Sequence, residues 1–278
     1  MGSGIVQVTA HAGIPVFVVD VSQERLDFCR RSIETSLTRI GKKQYLGDSD
    51  SIKSFVDETI SRVTFTTDER LAASSADLVI EAIVENIDAK KALWEKVDSM
   101  ASKECIFCTN TSSLKVSDQA IATGRPDRFA GFHFFSPVPM MKLVEVIRSG
   151  NTSQQTVELL LDHAHKLGKQ AVLAMDTKGF IVNRLLIPYQ LEACRMVERG
   201  VASIEDVDVA MKLGCGHPMG PFALADSVGI DVLKHITDAW HEKEPENPLF
   251  FPSGLVDEKV AQGKLGRKSG EGFYKYRE

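Results

Sequence analysis

Short apolar runs alternate with amphipathic stretches along the first 175 residues. Four such runs lie at 16–19, 63–67, 78–84 and 105–109. They have the length and the Val, Ile and Phe content of buried strands, and segments with apolar residues spaced by three and four, such as 22–40 and 88–100, separate several of them. Alternating helices and near-continuous apolar strands predict a mostly parallel, doubly wound sheet covered on both faces.

The pattern changes near residue 177. A helix at 153–167 and a strand at 171–175 close the alternating part. Thereafter only helical spacing is found, and we predict helices at 180–199, 204–213 and 222–240. The sequence therefore predicts two domains, an α/β domain over 1–177 and an all-α domain over 178–278.

Two strand-like runs in the α/β domain carry a histidine and a carboxylate. Residues 129–135 include His133, residues 142–147 include Glu145, and the prolines between them exclude a continuous helix. If the strands are adjacent, the carboxylate can fix the imidazole tautomer while the other ring nitrogen exchanges a substrate proton. This arrangement is typical of general acid/base catalysis, and the alternative is a hydrogen-bonded pair with only a structural role.

Polar residues also follow several predicted strands. Asp20 ends the first strand, Glu85 follows the third, and 110–113, with the sequence NTSS, follow the fourth. Ligands of doubly wound sheets lie beyond the carboxyl ends of the strands, so these residues and His133 predict a cleft. The alternative is ordinary loop chemistry.

The chain starts with MGSG, followed by a predicted helix at 5–12 and the strand that Asp20 ends. This is the second half of a dinucleotide-binding fingerprint, with Gly2 as the third glycine and Asp20 as the acid for the ribose hydroxyls. The leading strand and the first two glycines are absent from the printed sequence. The alternative is any αβ unit without a nucleotide.

Composition narrows the function classes. The chain has 278 residues, 43% of them hydrophobic, and a formal net charge of -5, which argues against nucleic-acid or polybasic membrane binding. A basic helix end at Arg39, Lys42 and Lys43 can receive an anionic ligand, or it is a solvated helix end. No apolar run approaches the length of a membrane span.

The cysteines and histidines do not predict a disulfide framework or a metal site. Five scattered cysteines favour a reducing compartment. Cys105 and Cys108 are three apart on a predicted strand and so face opposite sides, while His163 and His165 are two apart on a predicted helix.

Several motifs occur in an order that resembles a known family. They are VVD at 18–20, EAIVEN at 81–86, NTSSL at 110–114, GFHFFSPVPMMKLVEV at 131–146, GFIVNRLL at 179–186, GHPMGPF at 216–222 and GEGFYKY at 270–276. Over essentially its whole length the chain resembles the short-chain L-3-hydroxyacyl-CoA dehydrogenases of fatty-acid β-oxidation. The resemblance implies a Rossmann-like domain, NAD as cofactor, an acyl-CoA substrate and a homodimer formed through the helical domain.

The resemblance also implies site residues. The catalytic positions are His133 as base, Glu145 as its orienting partner, Ser112 and Asn183. The NAD contacts are Gly2, Asp20, Glu85, Lys90, Ser112, Ser136 and Lys268, and the substrate contacts are Ser36, Lys43 and Ser112. The implied location is the mitochondrial matrix, or the cytoplasm if the source is bacterial, although no presequence is visible in this chain.

The chain departs from the family pattern at a few positions. Ser136 stands where the family has Asn, Ala223 replaces a Glu and Lys178 replaces a Pro. Without the first strand, we expect either an incomplete recorded start or an impaired protein. Two alternatives to the dehydrogenase therefore remain: a truncated, non-catalytic relative that keeps the helical domain, and a dehydrogenase of hydroxy acids that does not use CoA.

Overall fold

The computed structural model describes residues 1–276, and the chain divides between Phe180 and Ile181 into two compact units. The first unit contains seven helices in its described residues: α1 Gly2–His11, α2 Gln23–Gln44, α3 Ser49–Ile60, α4 Glu69–Ser75, α5 Ile87–Asp98, α6 Val116–Ala120 and α7 Gln154–Lys166. Its strands are β1 Val16–Val19, β2 Val63–Thr66, β3 Leu78–Glu81, β4 Ile106–Thr109, β5 Phe129–Phe134, β6 Leu143–Arg148 and β7 Gln170–Met175.

The strands of the first unit form two sheets. β1 and β2 pair in parallel, and the other five strands form a sheet in the order β3-β4-β5-β6-β7. All pairs of the larger sheet are parallel except β5 with β6, which is antiparallel. The helices pack on this framework, with Trp94 of α5 and Leu160 of α7 buried in separate apolar clusters. The predicted mostly parallel, Rossmann-like fold is confirmed.

Side-chain caps set where several helices begin. Ser22 accepts from the amide of Arg25 at the start of α2, and Asn86 accepts from the amide of Ala89 at the start of α5. These caps satisfy amides that have no partner inside the helix. The helices α4 and α6 were not predicted, because five to seven residues show too little periodicity.

Helix α1 lies against the loop that joins β5 to β6. A Cβ atom added at Gly4 would lie 2.8 Å from Cβ of Val138, whereas one added at Gly2 would lie 3.9 Å from Cβ of Ala82. The first distance is a clash and the second is ordinary contact. The close approach thus requires glycine at position 4, not at position 2, where the sequence pattern had placed the third glycine of the fingerprint.

The second unit is helical in its described residues. Its helices are α8 Val182–Glu198, α9 Ile204–Cys215, α10 Pro221–Val228, α11 Ile230–Lys243 and α12 Gly254–Ala261. The single helix predicted over 222–240 is wrong, because Gly229, with φ of 115°, ends α10 and begins α11. Leu191, Phe222 and Phe250 lie in its core.

A buried carboxylate holds the C-terminal segment onto this helical unit. Asp226 of α10 accepts hydrogen bonds of 2.9 Å from the amides of Phe273 and Tyr274 and one of 2.8 Å from the hydroxyl of Tyr276. Burial and this last bond raise the pKa of Tyr276 to about 12.

Across residues 1–276, the helices lack the combination of length and apolarity that crossing a membrane requires.

Candidate active site

His133 and Glu145 lie directly opposite each other in the antiparallel β5–β6 pair. The imidazole Nδ1 is 2.7 Å from a carboxylate oxygen of Glu145. Glu145 is fully buried and His133 is 6% exposed. Since side chains directly opposite in antiparallel strands share one face, the strand register alone brings the two groups together.

This contact determines the state of the imidazole. A carboxylate can only accept hydrogen bonds, so Nδ1 of His133 carries the proton of the shared bond. The lone pair of the neutral ring is then on Nε2, which becomes the basic atom. When Nε2 takes a proton, the adjacent carboxylate of Glu145 stabilises the resulting imidazolium.

Aromatic rings cover the imidazole. The ring centroid of Phe135 is 4.6 Å from that of His133, and the centroid of Phe180 is 5.6 Å away. Phe180 has a φ of 53°, which is unusual for a residue with a large side chain. Such backbone strain is often found at functional sites. The sequence analysis missed Phe180, and only its position directly after Gly179 hints at an unusual backbone.

Glu85 organises the turn that follows β4. One of its carboxylate oxygens accepts from the hydroxyl of Thr111 and from the amides of Ser112 and Ser113, at 3.0 and 3.1 Å. Burial alone would raise the pKa of Glu85, but the Thr111 hydrogen bond and the charge of Lys90 lower it overall. Glu85 is therefore a carboxylate at neutral pH, and it fixes the backbone of Ser112.

Lys90 lies beneath this turn and is buried. Its ammonium is 2.7 Å from a carboxylate oxygen of Glu81 and 3.2 Å from the other oxygen of Glu85. Glu81 is also buried and accepts from the hydroxyl of Thr109, its register partner on β4, at 2.7 Å. Glu81 and Thr109 were not recognised from the sequence. Glu81 resembles any polar residue that ends a strand, and Thr109 is part of an apolar run.

The adjacent Asn110 links two strand ends. Its side-chain oxygen accepts from the amide of Phe134 at 2.9 Å, which fixes the end of β5 one residue after His133. Residues 81–85, 109–113 and 133–136, all in the first unit, thus lie together at the strand ends where the cleft was predicted.

Asp20 and the start of α1 fit the adenosine side of a dinucleotide. Asp20 directly follows β1, and 41% of its side chain is exposed. Within the described residues, no side chain caps the N-terminus of α1, and no acidic residue lies in its first turn. Uncapped helix amides favour an anionic group such as a pyrophosphate, and the exposed carboxylate of Asp20 can accept from ribose hydroxyls.

The positions expected to contact nicotinamide and coenzyme A are also accessible. Ser136 is exposed, in the loop between β5 and β6. The ammonium Nζ of Lys169 holds this loop by donating to the carbonyls of Val138 and Met141, at 2.5 and 2.8 Å.

Ser36 and the exposed Lys43 are seven residues apart on α2, a spacing that places both on one side of the helix.

The remaining expected site residues belong to the second unit. Asn183 is the second residue of α8, and Lys268 lies in a short 3₁₀ helix, where its ammonium is 2.5 Å from the carboxylate of Asp231. In the part of the chain that the structure describes, His, Cys, Asp and Glu side chains form no group of three or more suited to a metal ion.

The first unit thus combines a dinucleotide-type fold with a buried histidine–carboxylate pair, a combination typical of α/β oxidoreductases. Its residues 1–177 match the profile of the 3-hydroxyacyl-CoA dehydrogenase NAD-binding domain, and residues 179–276 match that of the C-terminal domain of the same enzymes. The chain therefore belongs to the 3-hydroxyacyl-CoA dehydrogenase family, and NAD is its cofactor. The resemblance inferred from the motifs is confirmed.

Relatives and solved structures agree with this assignment. The chain is 53% identical over 277 residues to the mitochondrial hydroxyacyl-coenzyme A dehydrogenase of Rattus norvegicus, with 100% of this chain and 88% of the rat protein covered. The human protein is 51% identical with the same coverage. The crystal structure of M. tuberculosis FadB2 superposes with a TM-score of 0.91 at 40% identity, covering 100% of this chain and 95% of that one.

Proposed function

We propose that this protein oxidises the 3-hydroxyl group of an (S)-3-hydroxyacyl-CoA to the 3-oxo thioester with NAD, and catalyses the reverse reduction. The observation that carries the proposal is the buried 2.7 Å contact between His133 and Glu145 at the carboxyl end of the sheet. It supplies a base of defined tautomer at the place where the ligands of such folds bind.

The residues of the chain perform the proton transfer. Nε2 of His133 takes the proton of the substrate hydroxyl, and Glu145 stabilises the imidazolium. Bound NAD would supply the acceptor for the hydride that leaves C3, so that the carbon loses two electrons and the C–O bond becomes a carbonyl. Ser112 and Asn183 are proposed to hydrogen-bond the substrate oxygen as its charge changes. In the reverse direction, the imidazolium returns its proton to the oxygen.

Residues 1–177 are proposed to bind NAD. Asp20 would accept from the adenosine ribose hydroxyls, and the amides at the start of α1, beside Gly2, would face the pyrophosphate. Further contacts are proposed from the strand-end and helical-unit residues Glu85, Lys90, Ser112, Ser136 and Lys268. Serine at position 136 is a shorter side chain than the asparagine of the family pattern, so it would reach less far toward the nicotinamide.

Coenzyme A is proposed to lie along the C-terminal end of α2. Lys42 and Lys43 lie in the last turn of this helix, and Lys43 is exposed. An ammonium group attracts the phosphates of coenzyme A, and Ser36, on the same side of the helix, adds a hydrogen-bonding hydroxyl.

Residues 178–278 are proposed to form a homodimer. The family resemblance supports this, and the exposed Leu185 of α8 and Leu213 of α9 are apolar side chains that a partner could cover. We further propose the mitochondrial matrix as the location, in line with the mitochondrial relatives, or the cytoplasm for a bacterial source.

The function is tested with purified protein, NADH, two candidate substrates and free coenzyme A as an inhibitor. We expect NADH consumption with a 3-oxoacyl-CoA, little with the corresponding free 3-oxo acid, and inhibition by free coenzyme A. Quenching of protein fluorescence measures NADH binding separately. Absence of NADH binding would favour the non-catalytic alternative, and equal rates with the free acid would favour a dehydrogenase that does not use CoA.

A further inference from the structure

Three ionisable side chains form a continuous series from the interior of the first unit to its surface at the strand ends. Glu81 and Lys90 have side chains that are 0% and 1% exposed, whereas 35% of the Glu85 side chain is exposed. The ammonium of Lys90 lies between the two carboxylates. Only the outermost member, Glu85, therefore exposes a large part of its side chain.

Both carboxylate oxygens of the buried Glu81 accept hydrogen bonds from neighbouring donors. Glu81 accepts from Lys90 and from the amide of Ile83 with one oxygen and from Thr109 with the other, each at 2.7 Å. The amide of Ile83 belongs to the loop that leads to Glu85. Glu81 thus holds both the cation that faces Glu85 and the backbone that carries Glu85.

We infer that Glu81 is a positioning residue for cofactor binding, and that it acts through Lys90 and Glu85. Glu81 fixes the ammonium of Lys90, the ammonium fixes Glu85, and Glu85 fixes the amides of Ser112 and Ser113. This inference rests on the proposed function, because it concerns the NAD site of the first unit.

Charge explains why the three groups must act together. An ammonium buried without a carboxylate is costly, and removal of one partner from a buried pair leaves the other uncompensated. In Glu81→Gln, the partly exposed Glu85 is the one carboxylate partner that remains for Lys90. The ammonium of Lys90 should therefore move toward solvent. The Ser112–Ser113 turn then loses its fixed acceptor, and the cofactor loses a preorganised site.

The test compares Glu81→Gln, Lys90→Met and the double variant, with Lys96→Met as the matched control. Lys96 lies on the same helix, α5, and pairs with Glu69, and 60% of its side chain is exposed. Each single variant at 81 or 90 should weaken NADH binding by about tenfold or more, the effect of losing one charge-assisted contact. Lys96→Met should bind NADH as the unmodified protein does.

The double variant separates positioning from general stability. Removing both buried charges together should restore the urea midpoint toward that of the unmodified protein. NADH affinity should stay about tenfold weaker, since Glu85 still lacks its cation. If affinity recovers together with stability, or if Glu81→Gln folds and binds NADH within about twofold of the unmodified protein, the inference is wrong.

Hydrogen exchange tests the same inference without the cofactor. In the protein free of NADH, the amides of Ser112 and Ser113 should exchange about tenfold faster in Glu81→Gln and in the double variant, because their acceptor is no longer fixed. The amide of Phe134, which donates to Asn110, should not change. Unchanged exchange at Ser112 and Ser113 overturns the inference. Failure of the unmodified protein to bind NADH, with faster exchange in the variants, would contradict the proposed function and the cofactor part of the inference, while the positioning of the Ser112–Ser113 turn by Glu81 would still hold.

Discussion

Replacement of Glu145 by glutamine should slow catalysis strongly while leaving the fold intact. Glutamine has nearly the same volume, so it occupies the same fully buried position on β6 and removes only the negative charge. That charge matters most after His133 has taken a proton. The magnitude follows from the distance between the centres of the imidazolium and carboxylate groups. This distance is about 4 Å, longer than the Nδ1–O contact, because each charge is spread over its whole group.

Two unit charges at that separation interact by about 4 kcal/mol at an effective dielectric constant of roughly 20. Because about 1.36 kcal/mol corresponds to a tenfold rate change, losing the full interaction would lower kcat by about 10³. The amide oxygen of glutamine still accepts from Nδ1 of His133, so we expect a loss of about 10² to 10³. KM for the substrate should change little, since the stabilised charge is absent from the ground state.

The assay is steady-state reduction of NAD by a 3-hydroxyacyl-CoA, the direction in which His133 takes the proton, with His133→Gln and the double variant measured in parallel. His133→Gln alone should lower kcat by about 10² to 10⁴. Because Glu145 acts only through His133, the double variant should be no slower than His133→Gln. Multiplicative losses in the double variant would show that the two residues act independently, and near-native turnover by His133→Gln would exclude it as the base.

Three further outcomes are expected. Asp20→Ala should narrow the preference for NAD over NADP, measured as the ratio of kcat/KM values, since a carboxylate repels a 2′-phosphate; equal use of both cofactors by the unmodified protein would contradict this role. Gly4→Ala should lower the free energy of unfolding by about 1–3 kcal/mol through the clash with Val138, while Gly2→Ala, the matched control, should leave it nearly unchanged. A thiol reagent at neutral pH should modify only the exposed Cys215 rapidly, because the other four cysteines are buried; fast reaction of a second thiol in the folded protein would oppose it.

Much of the fold was predictable because its signals are local. The strand β1 was predicted with its observed bounds, and most of the predicted helices end within two or three residues of the observed ones, since apolar spacing and caps such as Ser22 determine them. The break at Gly229 was missed because a single glycine within an apolar, helically spaced segment does not by itself end a helix. The helix ends here because Gly229 has a positive φ, which the sequence does not show.

The site was predictable to a lesser degree. Adjacent strands with His133 and Glu145 were expected, but their direct opposition depends on a register that the loop between them does not reveal. The burial of Lys90 was not predicted, since a lysine near the start of an amphipathic helix is ordinarily solvated. It depends on Glu81 and Thr109 meeting across two parallel strands, a contact 28 residues apart in sequence.

The antiparallel pairing of β5 with β6 also bears on how such an enzyme can evolve. His133 and Glu145 are separated by only 12 residues, and backbone hydrogen bonds between their own two strands keep them aligned. Recombination that exchanges the helical unit, or insertions at other loops of the sheet, therefore leaves the pair intact. The two acid/base residues are therefore inherited together on one short segment, while residues that determine substrate preference can change elsewhere in the chain.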